Sequence, residues 1–257
     1  MIKSVKKVIS ILSVLSEHGD QPVPLGKLAS LTDLNKATCC HILSTLEEDG
    51  YVVKLSPRKG YILGPAVYCL PRAGRYRNQL VNLCRPVMEY LHQACGHSVV
   101  LAVLEADTKY IIDYIDDGSF FETETRIRAD DIYRTATGRA ILANSPRETV
   151  YDIYKKYGEP LPEEWPQVRS FEDLCRYIDH VPKNIIFQSC CYEQDGKICN
   201  LGYGAALLQN SMCVGAIGIA VKLSADQLHD YQKNTQPSII RLLEQAAKQI
   251  HALLAKI

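Results

Sequence analysis

The chain has 257 residues, room for one large domain or two modest ones, and its 47% hydrophobic and 23% charged residues are ordinary for a globular protein. No apolar run approaches the ~20 residues of a membrane-spanning helix, and ten cysteines without an export signal or a CxxC spacing argue for free thiols rather than a secreted disulfide framework. Net charge is zero but uneven: residues 1–85 hold twelve Lys and Arg against six Asp and Glu, so the N-terminal third is the part suited to a polyanion such as nucleic acid.

The opening "MIKSVKKVISILSVLSEHG" pairs basic residues with an apolar stretch, as a signal peptide does, but Ser10, Ser13 and Ser16 interrupt it and no small-residue cleavage site follows. It is expected to be an amphipathic helix of a cytoplasmic protein. Val5, Val8, Ile9, Leu12 and Leu15 fall at helical spacing, with Ser4 the expected cap and Gly19 the stop. After the turn "DQPVP", Leu25, Leu28 and Ala29 begin a short second helix. Asn35 caps a third, whose apolar positions are Cys39, Ile42, Leu43 and Leu46. "YVVKL", "SPRKG" and "YIL" form a hairpin. Helix, helix, tight turn, helix and hairpin is the order of a winged helix-turn-helix, whose third helix enters the major groove of DNA.

The next segment, residues 65–96, is expected to be a helical linker, with Leu80, Leu83, Cys84, Val87, Met88 and Leu91 as an apolar stripe. From residue 97 the pattern turns to strands. "SVVLAVLE" and "KYIIDYID" make a hairpin, and "FETETRIR" alternates as a strand does. "TATGRAILANSP" starts a helix that Pro146 ends, and two helices follow around the loop "EPLPEEWP". "IIFQSCCYE", "GYGAALLQ" and "CVGAIGIAV" are three more strands, and a helical region after Ser224 closes the chain. The fold class is α+β: a winged helix-turn-helix over 1–64, the linker, and a domain over 97–257 with a mostly antiparallel sheet flanked by helices.

The chain resembles the IclR-type transcriptional regulators over nearly its whole length. The resemblance rests on "SVKKVISILSVL", "LGKLASLTDLNKATCCHILSTLEEDGYV", "YILG", "YRTATGRAILA" and "CVGAIGIAV", in that order. It implies a winged-helix head, a GAF-like effector-binding domain, and homodimers or tetramers made of dimers. It also implies control of a metabolic operon, commonly by repression, through a small acidic metabolite. Three positions depart from the family pattern: His41 stands where an arginine is usual, "ADDIYR" replaces a proline-containing loop, and "QDGKICNLG" keeps only Asp195 of an acidic cluster.

The expected DNA contacts follow from helix geometry. With Cys39, Ile42, Leu43 and Leu46 turned inward, Lys36, Ala37, Cys40, His41 and Ser44 face outward, and Thr38 sits in the first turn, where backbone N–H groups meet phosphate. Lys36 and His41 reach phosphate or base edges, Ala37 and Cys40 suit a thymine methyl, and Arg58 and Lys59 at the wing tip clamp the minor groove. Thr135, Ala136 and Gly138 of "TATGRA" place free N–H groups where a carboxylate can bind, with Arg134 beside them. The resemblance adds Asp195, Tyr203, Gly204, Gly218 and Ala220 to that effector pocket. No catalytic signature stands out in the sequence. The resemblance implies double-stranded operator DNA and an organic acid as the partners. The alternative is a thiol- or metal-sensing regulator that uses Cys190, Cys191 and Cys199, although neighbours on a strand point to opposite faces.

Overall fold

A computed structural model of the chain describes residues 2–56, 59–70, 77–116, 131–162, 165–182, 185–192 and 196–256. The chain divides into two compact units, 1–75 and 76–257.

In the first unit, α1 (Lys3–Glu17) buries Ile11, Val14 and Leu15. Val5 and Ile9, expected on the buried stripe, are 50% and 57% exposed, because the helix turns Val8, Ile11, Leu12 and Leu15 toward the core formed by Leu28, Cys39, Leu43 and Val52. The capping position is Ile2, without a side-chain cap bond, so the expected cap Ser4 lies within the helix. Pro24 precedes α2 (Leu25–Leu31), which buries Leu28 and Ala29. Four residues then reverse the chain. Thr32 Oγ1 donates to the Leu28 carbonyl at 2.7 Å, Asp33 takes a left-handed backbone (φ 52°), and the Leu34 amide returns to Ala29 O at 2.9 Å. α3 (Lys36–Glu48) begins at Asn35, whose side chain accepts the Thr38 amide at 2.8 Å. Such a cap satisfies an amide that the helix itself cannot.

Strands β1 (Val52–Ser56) and β2 (Gly60–Leu63) form the antiparallel wing, and Val23 adds a bridge to Tyr61. Gly60 makes this possible. Its φ is +105°, and a Cβ there would lie 2.2 Å from Val23 O, so only glycine admits the third strand segment. A short helix, α4 (Pro65–Cys69), follows with proline in its first turn.

The second unit is built on a five-stranded antiparallel sheet. Its strands are β3 (Ser98–Glu105), β4 (Thr108–Ile115), β5 (Phe187–Tyr192), β6 (Ile198–Gln209) and β7 (Met212–Ser224), in the order β4-β3-β7-β6-β5. One face carries Val99, Leu101, Val103, Leu201, Tyr203, Ile217, Ile219 and Val221, packed in one core with α5 (Asn78–Cys95) and α11 (Gln236–Leu254). Before α11 come a 3-10 turn (Ala225–Gln227) capped by Ser224, and α10 (Leu228–Asn234). The other face supports α6 (Asp131–Arg134), α7 (Ala136–Ala143), α8 (Arg147–Tyr157) and α9 (Phe171–His180).

Helix α5 departs from the expected linker over 65–96. It buries Leu80, Val81, Cys84, Val87, Met88 and Leu91 against the sheet and is a core element of the second unit. Pro86 lies inside it without ending it. The expected strand "FETETRIR" lies outside the described residues. A bulge in β4 was not foreseen. Leu101 pairs with Asp113 but Ala102 pairs with Ile111, so Ile112 is the extra residue. The bulge turns Lys109 and Ile111 to the α7 face and Asp113 to the α5 face, where Arg85 Nη1 meets its carboxylate at 3.0 Å.

Candidate nucleic-acid face and anion pocket

The exposed side of α3 is built by what its buried side consumes. Cys39 and Leu43 are fully buried and Leu46 nearly so, which fixes the helix rotation. Lys36, Ala37, Cys40, His41 and Ser44 are then exposed, and Thr38 is half-buried, as their spacing predicts. Ile42, expected in the core, is only partly buried at its edge. Adjacent cysteines are thus separated by the helix: burial pushes the Cys39 thiol up, while Cys40 stands in the open. The Thr38 amide, foreseen as free for phosphate, is held by Asn35. On the wing, Lys59 is exposed and its amide is accepted by Ser56 Oγ at 3.0 Å, which shapes the tip. Arg58 lies outside the described residues.

The second unit has a cleft between its sheet and the N-terminus of α7, with about 720 Å³ of space including the open mouth. The sheet is cleared there by small residues. Gly202, Gly218 and Ala220 line it, joined by Val100, Ser189, Cys191 and Asn200, and Ala136 and Thr137 of α7 face them. The helix start sits directly on the sheet. A Cβ on Gly204 would come within 2.5 Å of the Ala136 backbone, and one on Gly218 within 2.5 Å of Thr137 Cγ2.

Thr135 caps α7 by accepting the Gly138 amide at 3.2 Å. The first two amides of the helix, those of Ala136 and Thr137, have no intrahelical partner by geometry and lie at the cleft. The same Thr135 hydroxyl accepts from the ammonium of Lys109, buried at 6% exposure, at 2.7 Å. Arg134 and Lys222 also line the cleft. Among the described lining residues three are cationic and none is acidic. Burial pushes the Cys191 thiol up, and the charge of Arg134 and its hydrogen bond partly offset this. Cations near a helix N-terminus are groups that suit an anion chemically.

Of the residues expected in the effector pocket, Arg134, Thr135, Ala136, Tyr203, Gly218 and Ala220 line this cleft. Tyr203 contributes backbone only; strand alternation sends its ring into the α5 core. Gly138 and Gly204 do not line the cleft. Each permits a close approach instead, Gly138 to the Ile132 carbonyl and Gly204 to the α7 backbone. Asp195 lies outside the described residues. Sequence reasoning missed Lys109, Thr137, Ser189, Cys191, Asn200 and Lys222. Period-two alternation from Gly218 and Ala220 leads to Lys222, and from Gly202 to Asn200, so these two were findable. Lys109 was not, since the bulge at Ile112 decides its face. Cys190, Cys191 and Cys199 form no shared metal site, and among the described residues no three His, Cys, Asp or Glu side chains cluster as ligands.

Comparison with known proteins agrees with this two-unit design. The family model described as "IclR helix-turn-helix domain" matches residues 4–56, and "Bacterial transcriptional regulator IclR C-terminal" matches residues 76–160. The HTH-type transcriptional regulator TtgV of Pseudomonas putida is 30% identical over 166 residues, 63% of this chain and 60% of that protein. The HTH-type transcriptional regulator TsaQ1/TsaQ2 of Comamonas testosteroni is 27% identical over 177 residues, 66% of this chain and 62% of that protein. The chain thus spans about three-fifths of the length of these relatives. In fold it is similar to an IclR homolog from Microbacterium hydrocarbonoxydans solved in complex with 4-hydroxybenzoate, with a TM-score of 0.69 at 16% identity over 99% of this chain and 100% of that one. An IclR transcriptional regulator from Alicyclobacillus acidocaldarius gives a TM-score of 0.65 at 19% identity over 99% of each chain. The two family models together span more than half its length, and the chain belongs to the IclR family.

Proposed function

We propose that this chain is a DNA-binding transcriptional regulator that represses a metabolic operon and responds to a small organic acid held in the second unit. The observation that carries the reading is the exposed face of α3: Lys36, Ala37, Cys40, His41 and Ser44 project from a helix whose other side is locked by Cys39 and Leu43. A helix so presented, with Lys59 on the wing, fits the major groove and its flanking phosphates. Arg58, from its place in the wing sequence, belongs to the same contact set. The protein acts as a homodimer or a tetramer of dimers, because one head covers only a half-site of an operator.

The effector is an anion on charge grounds. Lys109, Arg134 and Lys222 line the cleft around the α7 amides. The Microbacterium homolog's complex makes 4-hydroxybenzoate a sensible first probe of the aromatic acid class. Its binding shifts the protein between states with different affinity for DNA. The test is binding of full-length protein to duplex DNA from upstream of its own gene, with and without a panel of organic acids. The reading predicts salt-sensitive binding that one acid relieves. DNA binding that no acid alters removes the effector part, and no DNA binding at all removes the whole.

A further inference from the structure

A thiol pair stands apart from both sites. Cys190 on β5 and Cys199 on β6 have their sulfurs 3.3 Å apart. The strand register explains this. Cys190 is paired with Leu201 and Tyr192 with Cys199, so the two cysteines are diagonal neighbours on one sheet face. Cys191, between them in sequence, pairs with Asn200 and lines the cleft on the opposite face. Cys190 is exposed and Cys199 is fully buried. One partner can therefore meet a reagent from solvent, and the other is shielded from everything except its neighbour. Two thiols in this contact need only a modest approach to reach the ~2.05 Å of a disulfide.

We propose that Cys190 and Cys199 form a reversible disulfide when the protein meets a hydroperoxide. The Cys190 sulfur, as thiolate, attacks one peroxide oxygen; the O–O bond breaks, and the leaving oxygen takes a proton to depart as water or an alcohol. Cys190 is then a sulfenic acid, oxidised by two electrons. The Cys199 sulfur attacks the Cys190 sulfur, the S–O bond breaks, and the leaving hydroxide takes the Cys199 proton as water. In sum, two thiols and one hydroperoxide give one disulfide, one alcohol or water, and one further water. Cys199 is fully buried, which also pushes its thiol up, and Cys190 is exposed, so Cys199 is the resolving partner and not the attacker. The bond ties edge strand β5 to β6. Since β5 carries Ser189 and Cys191 into the cleft, oxidation fixes one wall of the anion pocket.

The test uses the full chain, reduced, then exposed to a few-fold excess of hydrogen peroxide. Free thiols are alkylated with iodoacetamide after denaturation, and tryptic peptides are mapped without reductant. The alkylatable thiols fall by two, a peptide spanning 184–197 appears linked to one spanning 198–222, and dithiothreitol reverses both changes. Each peptide holds a second cysteine, so Cys191→Ser and Cys213→Ser each keep the link, whereas Cys190→Ser, at an exposed position, loses it, as does Cys199→Ala. A link that survives Cys190→Ser, a link made through Cys191 or Cys213, or full alkylation of both cysteines after peroxide overturns the proposal.

Discussion

Substitution of Gly204 by alanine measures how tightly α7 is seated on the sheet. A Cβ at Gly204 would lie 2.5 Å from the Ala136 carbonyl carbon and 2.6 Å from Ala136 O and the Thr137 amide nitrogen. All three are backbone atoms, so the helix start must move as a body. Forcing a methyl into such a contact costs about 1–3 kcal/mol. The reduced freedom of the unfolded chain returns roughly 0.4–1 kcal/mol. The net loss is therefore about 1–2 kcal/mol, or roughly 2–8 °C in Tm for a unit of this size. Gly202 is the matched control. Its added Cβ would lie 2.4 Å from Ser189 Oγ, a side-chain tip that can rotate away, and the next atom is at 3.5 Å. Gly202→Ala should stay within about 1 kcal/mol of the parent. Trp165 is the chain's only tryptophan and is buried in the second unit, so its fluorescence reports unfolding of that unit alone. Equal melting of the two variants, or a larger loss for Gly202→Ala, would refute the seating argument.

Other outcomes follow from single contacts. Asn35→Ala removes the cap of α3 and should destabilise the first unit by about 1 kcal/mol, read by denaturant unfolding of a far-ultraviolet dichroism signal. Lys109→Met should weaken binding of an organic acid by roughly 10- to 150-fold, the worth of a hydrogen bond to a charged group, in a calorimetric titration; unchanged affinity would place the anion elsewhere. Burial raises the Cys84 thiol from 9.0 to about 12, so the folded protein keeps a proton that the unfolded chain loses above pH 9. That contribution is complete below pH 9 and lost as pH rises toward 12, by up to about 1.4 kcal/mol per pH unit. Cys84→Val should flatten the fall in stability over this range, and an unchanged slope would contradict it.

The head was largely legible because its signals are local. Asn35, the i, i+3, i+4, i+7 spacing from Cys39 and the Pro57–Gly60 turn each announce themselves within a few residues. What failed there was the choice of face: α1 has apolar residues on two sides, and periodicity does not say that Ile11 and Val14 go inward while Val5 and Ile9 stay out. In the second unit the strands were legible but their mutual register was not. Tyr203 looked like a pocket residue until alternation placed its ring on the α5 side, and the face of Lys109 is decided by the bulge at Ile112. Residues 65–96 were expected to be a linker, although the apolar stripe of α5 is wide enough to fill a core. The glycines show the same limit. Gly204 and Gly218 share a face and a purpose, clearing room for α7, but only Gly218 borders the cleft.

Whether α3 carries DNA contact shows in a salt series. Full-length protein is titrated into labelled duplex from upstream of its gene at several salt concentrations, beside the Lys36→Ala variant. Log K should fall linearly with log salt, and loss of Lys36 should lower the slope by about one counterion. Binding that ignores salt, or a Lys36→Ala protein with the same affinity and slope as the parent, would contradict it.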